Sequence, residues 1–208
     1  MNIKNIFCIG RNYENHAKEL RNETPKTPIV FLKPTYSLAN ISNNTLKLPL
    51  NQGIIHYEIE IVLYIGKKVP NLFQVDDIVT KMALGVDFTL RDVQTDLKNK
   101  GYPWLLAKGF RNSAAVTEFW DFPGVTEAEK TDFFLVKNNT IVQEGLGKSM
   151  IFNFQNVLEY INKNFGLQEG DIIFTGTPEG VGSISAKDQY ILKWGSEIKG
   201  SFIIDQIT

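Results

Sequence analysis

Between Ile54 and Gly66 the chain reads Ile-Ile-His-Tyr-Glu-Ile-Glu-Ile-Val-Leu-Tyr-Ile-Gly, and from Glu58 to Ile65 a period of two predicts a strand. Ile59, Ile61, Leu63 and Ile65 fall on one face, and Glu58, Glu60, Val62 and Tyr64 on the other. Shorter strands are expected over residues 3–9, 29–32 (ended by Lys33-Pro34), 46–48 and 171–174, with Ala83–Leu90 as an apolar stretch broken by one acid, Asp87. Asp132–Gly145 reads as a hairpin turning at Asn138-Asn139, and Tyr190–Ile204 as two more strands around Gly195. Helical spacing marks four segments. Tyr13, His16, Ala17 and Leu20 share a face after a candidate cap, Asn12; Val75–Met82 is periodic; a helix starts at Arg91; and Phe154–Phe165 repeats at 3.6 between Asn153 and Gly166. Asn22–Pro28 and Ser42–Asn44 read as a loop and a turn. Many short strands with few helices predict a β-rich α+β fold rather than an alternating parallel sheet.

Composition narrows this picture. A chain of 208 residues is expected to form one domain, 1–208. Its 22 basic and 23 acidic residues carry no cationic excess to drive binding to nucleic acid or an anionic membrane. No apolar run approaches a membrane span or a signal peptide, and a lone cysteine, Cys8, inside an apolar run suits a reducing cytoplasm and a buried thiol.

Several polar residues stand against this background. Glu58 and Glu60 point the same way on a face that also carries Val62 and Tyr64. On an open edge strand that pairing means nothing; facing an interior, it needs a cation, for which a hard divalent ion such as Mg2+ is the simplest choice. Asp87 pairs either with Arg91 or with the same cation. His16 is either a satisfied histidine or, with Glu19 three residues on, a general base and its orienting partner. Lys108, in Trp-Leu-Leu-Ala-Lys-Gly-Phe, either snorkels or has an anionic partner. The loop Thr-Gly-Thr-Pro-Glu-Gly-Val-Gly at 175–182 presents N–H groups and hydroxyls to an anion, without the ending of a phosphate loop.

Gly10-Arg11-Asn12-Tyr13, His16 and Glu19, His56 to Glu60, Asp87 with Arg91-Asp92-Val93-Gln94, Lys108 and the 175–182 loop together resemble the fumarylacetoacetate hydrolase family in order and spacing. The resemblance is to its small branch of acylpyruvases, fumarylpyruvate hydrolases and oxaloacetate decarboxylases. It implies a mixed β-roll, commonly a homodimer, with Mg2+ or Mn2+ held by Glu58, Glu60 and Asp87. It further implies catalysis by His16, Glu19 and Lys108, and substrate contacts from Arg11, Arg91, Gln94 and Thr177. The implied reaction is cleavage of a carbon–carbon bond in a 2,4-dioxo acid. His16 would activate water and Lys108 would steady the oxyanion, giving a carboxylic acid and pyruvate through an enolate stabilised by the ion; oxaloacetate would reach the same enolate by losing CO2. A decarboxylase, hydratase or isomerase of a 2-oxo acid on the same scaffold is the alternative, and a non-catalytic metal-stabilised binding protein a further one.

Overall fold

The structure, a computed structural model, describes residues 1–19, 23–42 and 44–207. The alternating stretch forms the strand Ile59–Ile65 near the middle of an eight-stranded mixed sheet. Across that sheet run Ile29–Lys33, Ile6–Gly10, Ile172–Phe174, Ile59–Ile65, Val79–Asp87, Ala114–Val116 and Leu38–Asn40, with Trp120–Asp121 added on Val79–Asp87. A second, five-stranded sheet carries the hairpin Asp132–Lys137/Thr140–Leu146, then Gln189–Trp194, Glu197–Gln206 and Asn44–Leu48. A small third sheet joins Gly182–Ser183, Ile55–Tyr57 and Thr89–Leu90.

The alternation maps onto two cores. Ile59, Ile61, Leu63 and Ile65 pack into the large cluster with Phe133, Leu135, Leu192 and the helix Phe154–Phe165. Val62, from the opposite face, joins Cys8, Ala83, Ala114 and Phe174. Cys8 is fully buried, and burial, followed by the nearby Asp87, pushes its thiol well up. Its place is that of a small hydrophobe.

The clearest local signals hold. The Asn153 side chain accepts from the Asn156 N–H (2.9 Å) to cap Phe154–Phe165, and Gly166 ends it at φ +79°. Asn138 and Asn139 both take left-handed φ, the condition for a two-residue hairpin turn matched to strand twist. The two C-terminal strands expected around Gly195 are present, and they pair antiparallel.

Three expectations are corrected. The helix over Val75–Met82 is a single turn, Val75–Ile78, and Val79–Asp87 is a strand. Both faces of that strand are buried, and a run apolar on both faces has no period by which to tell helix from strand. The central strand begins at Ile59; Glu58 lies in the break after Ile55–Tyr57. Asn12 caps no helix, since the first helix is Glu14–Glu19 and the buried Asn12 amide instead bridges Thr175 O (2.8 Å), Phe152 O (3.0 Å) and the Phe152 N–H (2.8 Å). The expected helix end at Leu20, the loop start at Asn22 and the turn residue Asn43 lie outside the described residues.

Candidate active site

The three acids reach one place by three routes: Glu58 from the break between strands, Glu60 from the second position of Ile59–Ile65, and Asp87 from the end of Val79–Asp87. All are buried, and each offers an oxygen within 4.8 Å of those of the other two. Gly85, paired across the ladder with Glu60, is required by close packing: a Cβ there would lie 2.6 Å from the Phe174 ring and 2.7 Å from Val62.

Three cations face two of these acids. The Lys108 ammonium donates to Glu58 Oε2 (2.8 Å), Asp87 Oδ2 (2.7 Å) and Thr89 Oγ1 (2.6 Å), so each of its three protons has an acceptor. Lys108 is therefore buried and paired rather than snorkelling. Arg91 pairs with Glu58 Oε1, not with Asp87, and its Nη1 donates to Gln94 Oε1 (2.7 Å). Asp87 takes its second charge partner from Lys33, whose fully buried Nζ lies 2.7 Å from Oδ1.

Burial pushes the Glu58 carboxyl up, but Lys108 and then Arg91 outweigh it and hold it far below the ordinary carboxylate range. Burial lowers Lys108, yet Asp87 and Glu58 reverse the sign and raise it. Glu60 differs. Among the described residues it forms no ion pair; its Oε2 accepts only the Gly176 N–H (2.7 Å), and burial followed by Asp87 raises its pKa well above the usual value. Asp87 Oδ1, for its part, lacks a well-directed hydrogen bond despite its ion pair. A buried carboxylate without a cation, beside two more hard oxygen donors, fits a divalent ion of the Mg2+ or Mn2+ type.

The rest of the pocket stands around this acidic floor. His16, buried on the helix Glu14–Glu19, turns Nδ1 toward Glu19 Oε2 at 3.5 Å, within ion-pair range and beyond a good hydrogen bond. Burial lowers its pKa, Glu58 pulls the other way, and the net shift favours a neutral imidazole. Both Glu19 oxygens also face the Gly180 N–H, at 3.2 and 3.3 Å. The far end of the same loop is tied to the central strand by Thr175, whose hydroxyl donates to Ile61 O (2.9 Å). Arg11, left-handed at φ +57°, lines the pocket with Arg91, Gln94, Lys98 and Thr177, and Phe31 and Trp104 supply an aromatic wall. Of the residues to which the family resemblance gives a catalytic, substrate or metal role, all line this pocket except Glu19, which touches it through His16.

A family model described as fumarylacetoacetate (FAA) hydrolase C-terminal matches residues 5–207. The chain belongs to the fumarylacetoacetate hydrolase family. It is 39% identical over 189 residues to the mitochondrial oxaloacetate tautomerase FAHD1 of Homo sapiens, covering 89% of this chain and 85% of the relative. It is 35% identical over 194 residues to a mitochondrial oxaloacetate decarboxylase of Dictyostelium discoideum, covering 92% and 88%. The crystal structure of fumarylpyruvate hydrolase from Pseudomonas aeruginosa, in complex with Mn2+ and pyruvate, superimposes with a TM-score of 0.91 at 28% identity, covering 99% of this chain and 91% of that one. The mixed, strand-rich architecture of the family is the fold seen here.

This member of the family uses residues that its motifs do not announce. Lys33, read from the sequence as the end of a strand, is a buried cation of the acid cluster. The signal that marks Lys108, a lysine flanked by apolar residues, was present in Phe31-Leu32-Lys33 as well. Gln143 carries no such signal, because its partners Ile59 and Thr177 lie 84 and 34 residues away along the chain. Among the described residues no helix is long and apolar enough to cross a membrane.

Proposed function

We propose that this chain is a divalent-metal-dependent enzyme that moves a proton at C3 of a 2-oxo dicarboxylic acid of the oxaloacetate type, interconverting its keto and enol forms. The observation that carries this reading is the buried His16, its Nδ1 turned to Glu19, in one pocket with the buried acids Glu58, Glu60 and Asp87. Glu58, Glu60 and Asp87 would hold the ion, which when bound supplies Lewis-acid polarisation of a 2-oxo group and so acidifies its C3 protons. His16, with Nδ1 turned to Glu19, presents Nε2 to take that proton and give it back. Glu19 steadies the imidazolium, and the Gly180 N–H fixes Glu19. Lys108 has its protons committed to Glu58, Asp87 and Thr89, so it works by placing the acids and by its charge.

Charge supports the substrate class. Arg11, Arg91 and Lys108 line the pocket against Glu58, Glu60 and Asp87, three cations to three acids, so a divalent ion held there would leave an excess that a dianion balances. The curated relatives named above as oxaloacetate enzymes support the same class. Hydrolysis of a 2,4-dioxo acid is the second reading, favoured by the similarity to the fumarylpyruvate hydrolase; there His16 would deprotonate a water instead of C3.

The test follows enol absorbance of oxaloacetate, and pyruvate release from oxaloacetate, acetylpyruvate and fumarylpyruvate, with Mg2+, Mn2+ or chelator. Metal-dependent acceleration of keto–enol exchange supports the tautomerase reading. Pyruvate release from a dioxo acid with no effect on oxaloacetate replaces it with the hydrolase. Inertness toward all of them refutes both.

A further inference from the structure

We propose that Gln143, which does not line the pocket, is a positioning residue that sets the polarity of the Thr177 hydroxyl and makes it a hydrogen-bond donor to a substrate oxygen. The inference rests on the reading above that the pocket takes a 2-oxo acid. Gln143 lies on Thr140–Leu146 in the second sheet and is 2% exposed. Its Oε1 accepts from the Ile59 N–H at 2.9 Å, the peptide between the two acids Glu58 and Glu60. Its Nε2 donates to Pro178 O (3.0 Å) and to Thr177 Oγ1 (2.9 Å).

The orientation of this amide is settled by its neighbours. A backbone N–H only donates, so the atom facing Ile59 N is the oxygen; a backbone carbonyl only accepts, so the atom facing Pro178 O is the nitrogen. Thr177 Oγ1 is therefore an acceptor toward Gln143. Among the described residues its own proton is given to no protein acceptor, and Thr177 lines the pocket beside Glu60 and Lys108. A hydroxyl whose acceptor side is filled from behind presents its proton forward, toward a carboxylate or developing enolate oxygen. Such a fixed donor, costing no reorganisation during the reaction, is the kind that stabilises a growing negative charge. The same amide joins the start of the acid-bearing strand to the 175–182 loop, beside the links that Thr175 and the Gly176 N–H make to that strand.

The experiment is a double-variant cycle on Gln143→Glu and Thr177→Val. A glutamate carboxylate accepts at both ends, so the Thr177 proton turns back toward it; valine removes the hydroxyl. Each single variant is expected to lower kcat/KM for oxaloacetate with Mg2+ by about 10²- to 10³-fold, and the double variant to lose no more than Thr177→Val alone. Thr177→Ser, which keeps the hydroxyl, is expected to recover most of the loss. Affinity for oxalate in the presence of Mg2+, measured by calorimetry, should weaken in both single variants and not further in the double. If the two losses multiply, or if Thr177→Val matches Thr177→Ser, the proposal is overturned. Circular dichroism and the thermal midpoint identify a Gln143→Glu protein that does not fold; Gln143→Met, which removes the donor to Thr177 without adding a charge, then takes its place in the cycle with the same expected and overturning outcomes. A wild type inert toward every 2-oxo acid sinks the previous reading instead. The proposal then stands or falls on oxalate binding: weakening in both single variants upholds it, and the same result in all the proteins, absence of binding included, overturns it.

Discussion

Lys33→Met removes a buried charge that the chemistry of the pocket does not expose. The Lys33 side chain is fully buried, with Nζ 2.7 Å from Asp87 Oδ1, 3.0 Å from both Ser113 O and Ser113 Oγ, 3.2 Å from Phe88 O, and in contact with Lys108 O. Methionine matches the volume but donates nothing. Ser113 O keeps the Phe88 N–H (2.9 Å), so the missing donor falls on Phe88 O and on Asp87. Leaving a buried carbonyl short of its donor costs about 1–3 kcal/mol, and breaking a buried ion pair from one side about 3–5 kcal/mol. Asp87 retains Lys108 at 2.7 Å and so is not left fully unpaired, which takes the ion-pair contribution below that range and the combined loss to about 3–4 kcal/mol. At roughly 2–4 °C per kcal/mol for a chain of this length, the thermal midpoint should fall by about 6–16 °C. The assay is scanning calorimetry of the metal-free protein in chelator, so that ligand binding adds nothing to the midpoint. Asp87→Asn in the same background should recover part of the loss, because it removes the stranded charge. A drop of less than about 3 °C, or a double variant less stable than Lys33→Met, would refute the view that this ammonium neutralises Asp87.

His16→Ala should lower turnover by about 10²- to 10⁴-fold while Mg2+ binding by calorimetry stays near wild type, and retained turnover would remove His16 as the base. Because burial lowers the His16 pKa from its ordinary 6.5, the acid limb of kcat/KM should bend below that value; a limb bending above it contradicts the assignment. Glu60→Gln should weaken Mn2+ binding by at least about tenfold while leaving the metal-free protein as stable as wild type or more so, since among the described residues the carboxyl it replaces has no ion pair. Gly176→Ala should destabilise by about 2–3 kcal/mol, because the position holds φ +106° and a Cβ would lie 2.5 Å from that of Asn12; a stability within about 0.5 kcal/mol of wild type would show that the 175–182 loop adjusts freely.

Local periodicity carried a large part of this protein. The alternation through Ile59–Ile65, the capped helix Phe154–Phe165 and the Asn-Asn hairpin were each legible because their signals sit within a dozen residues and answer to backbone geometry alone. The motifs also marked out residues, among them His16, Glu60, Asp87 and Thr177, that the structure brings into one pocket. Tertiary structure decided the rest. Val79–Asp87 became a strand because Ile59–Ile65 and Ala114–Val116 pair with its two edges. Lys33 and Lys108 look alike in sequence, yet one meets Asp87 alone among the acids and the other joins Asp87 to Glu58. Arg91 chose Glu58 over Asp87, and Asn12 left its helix to bridge Phe152 and Thr175. Gln143 reaches Ile59 on one side and Thr177 on the other, from 84 and 34 residues away. Such contacts leave no period in the sequence. A buried polar group takes whichever partner the packed sheets bring within about 3 Å, and only the assembled fold sets that distance.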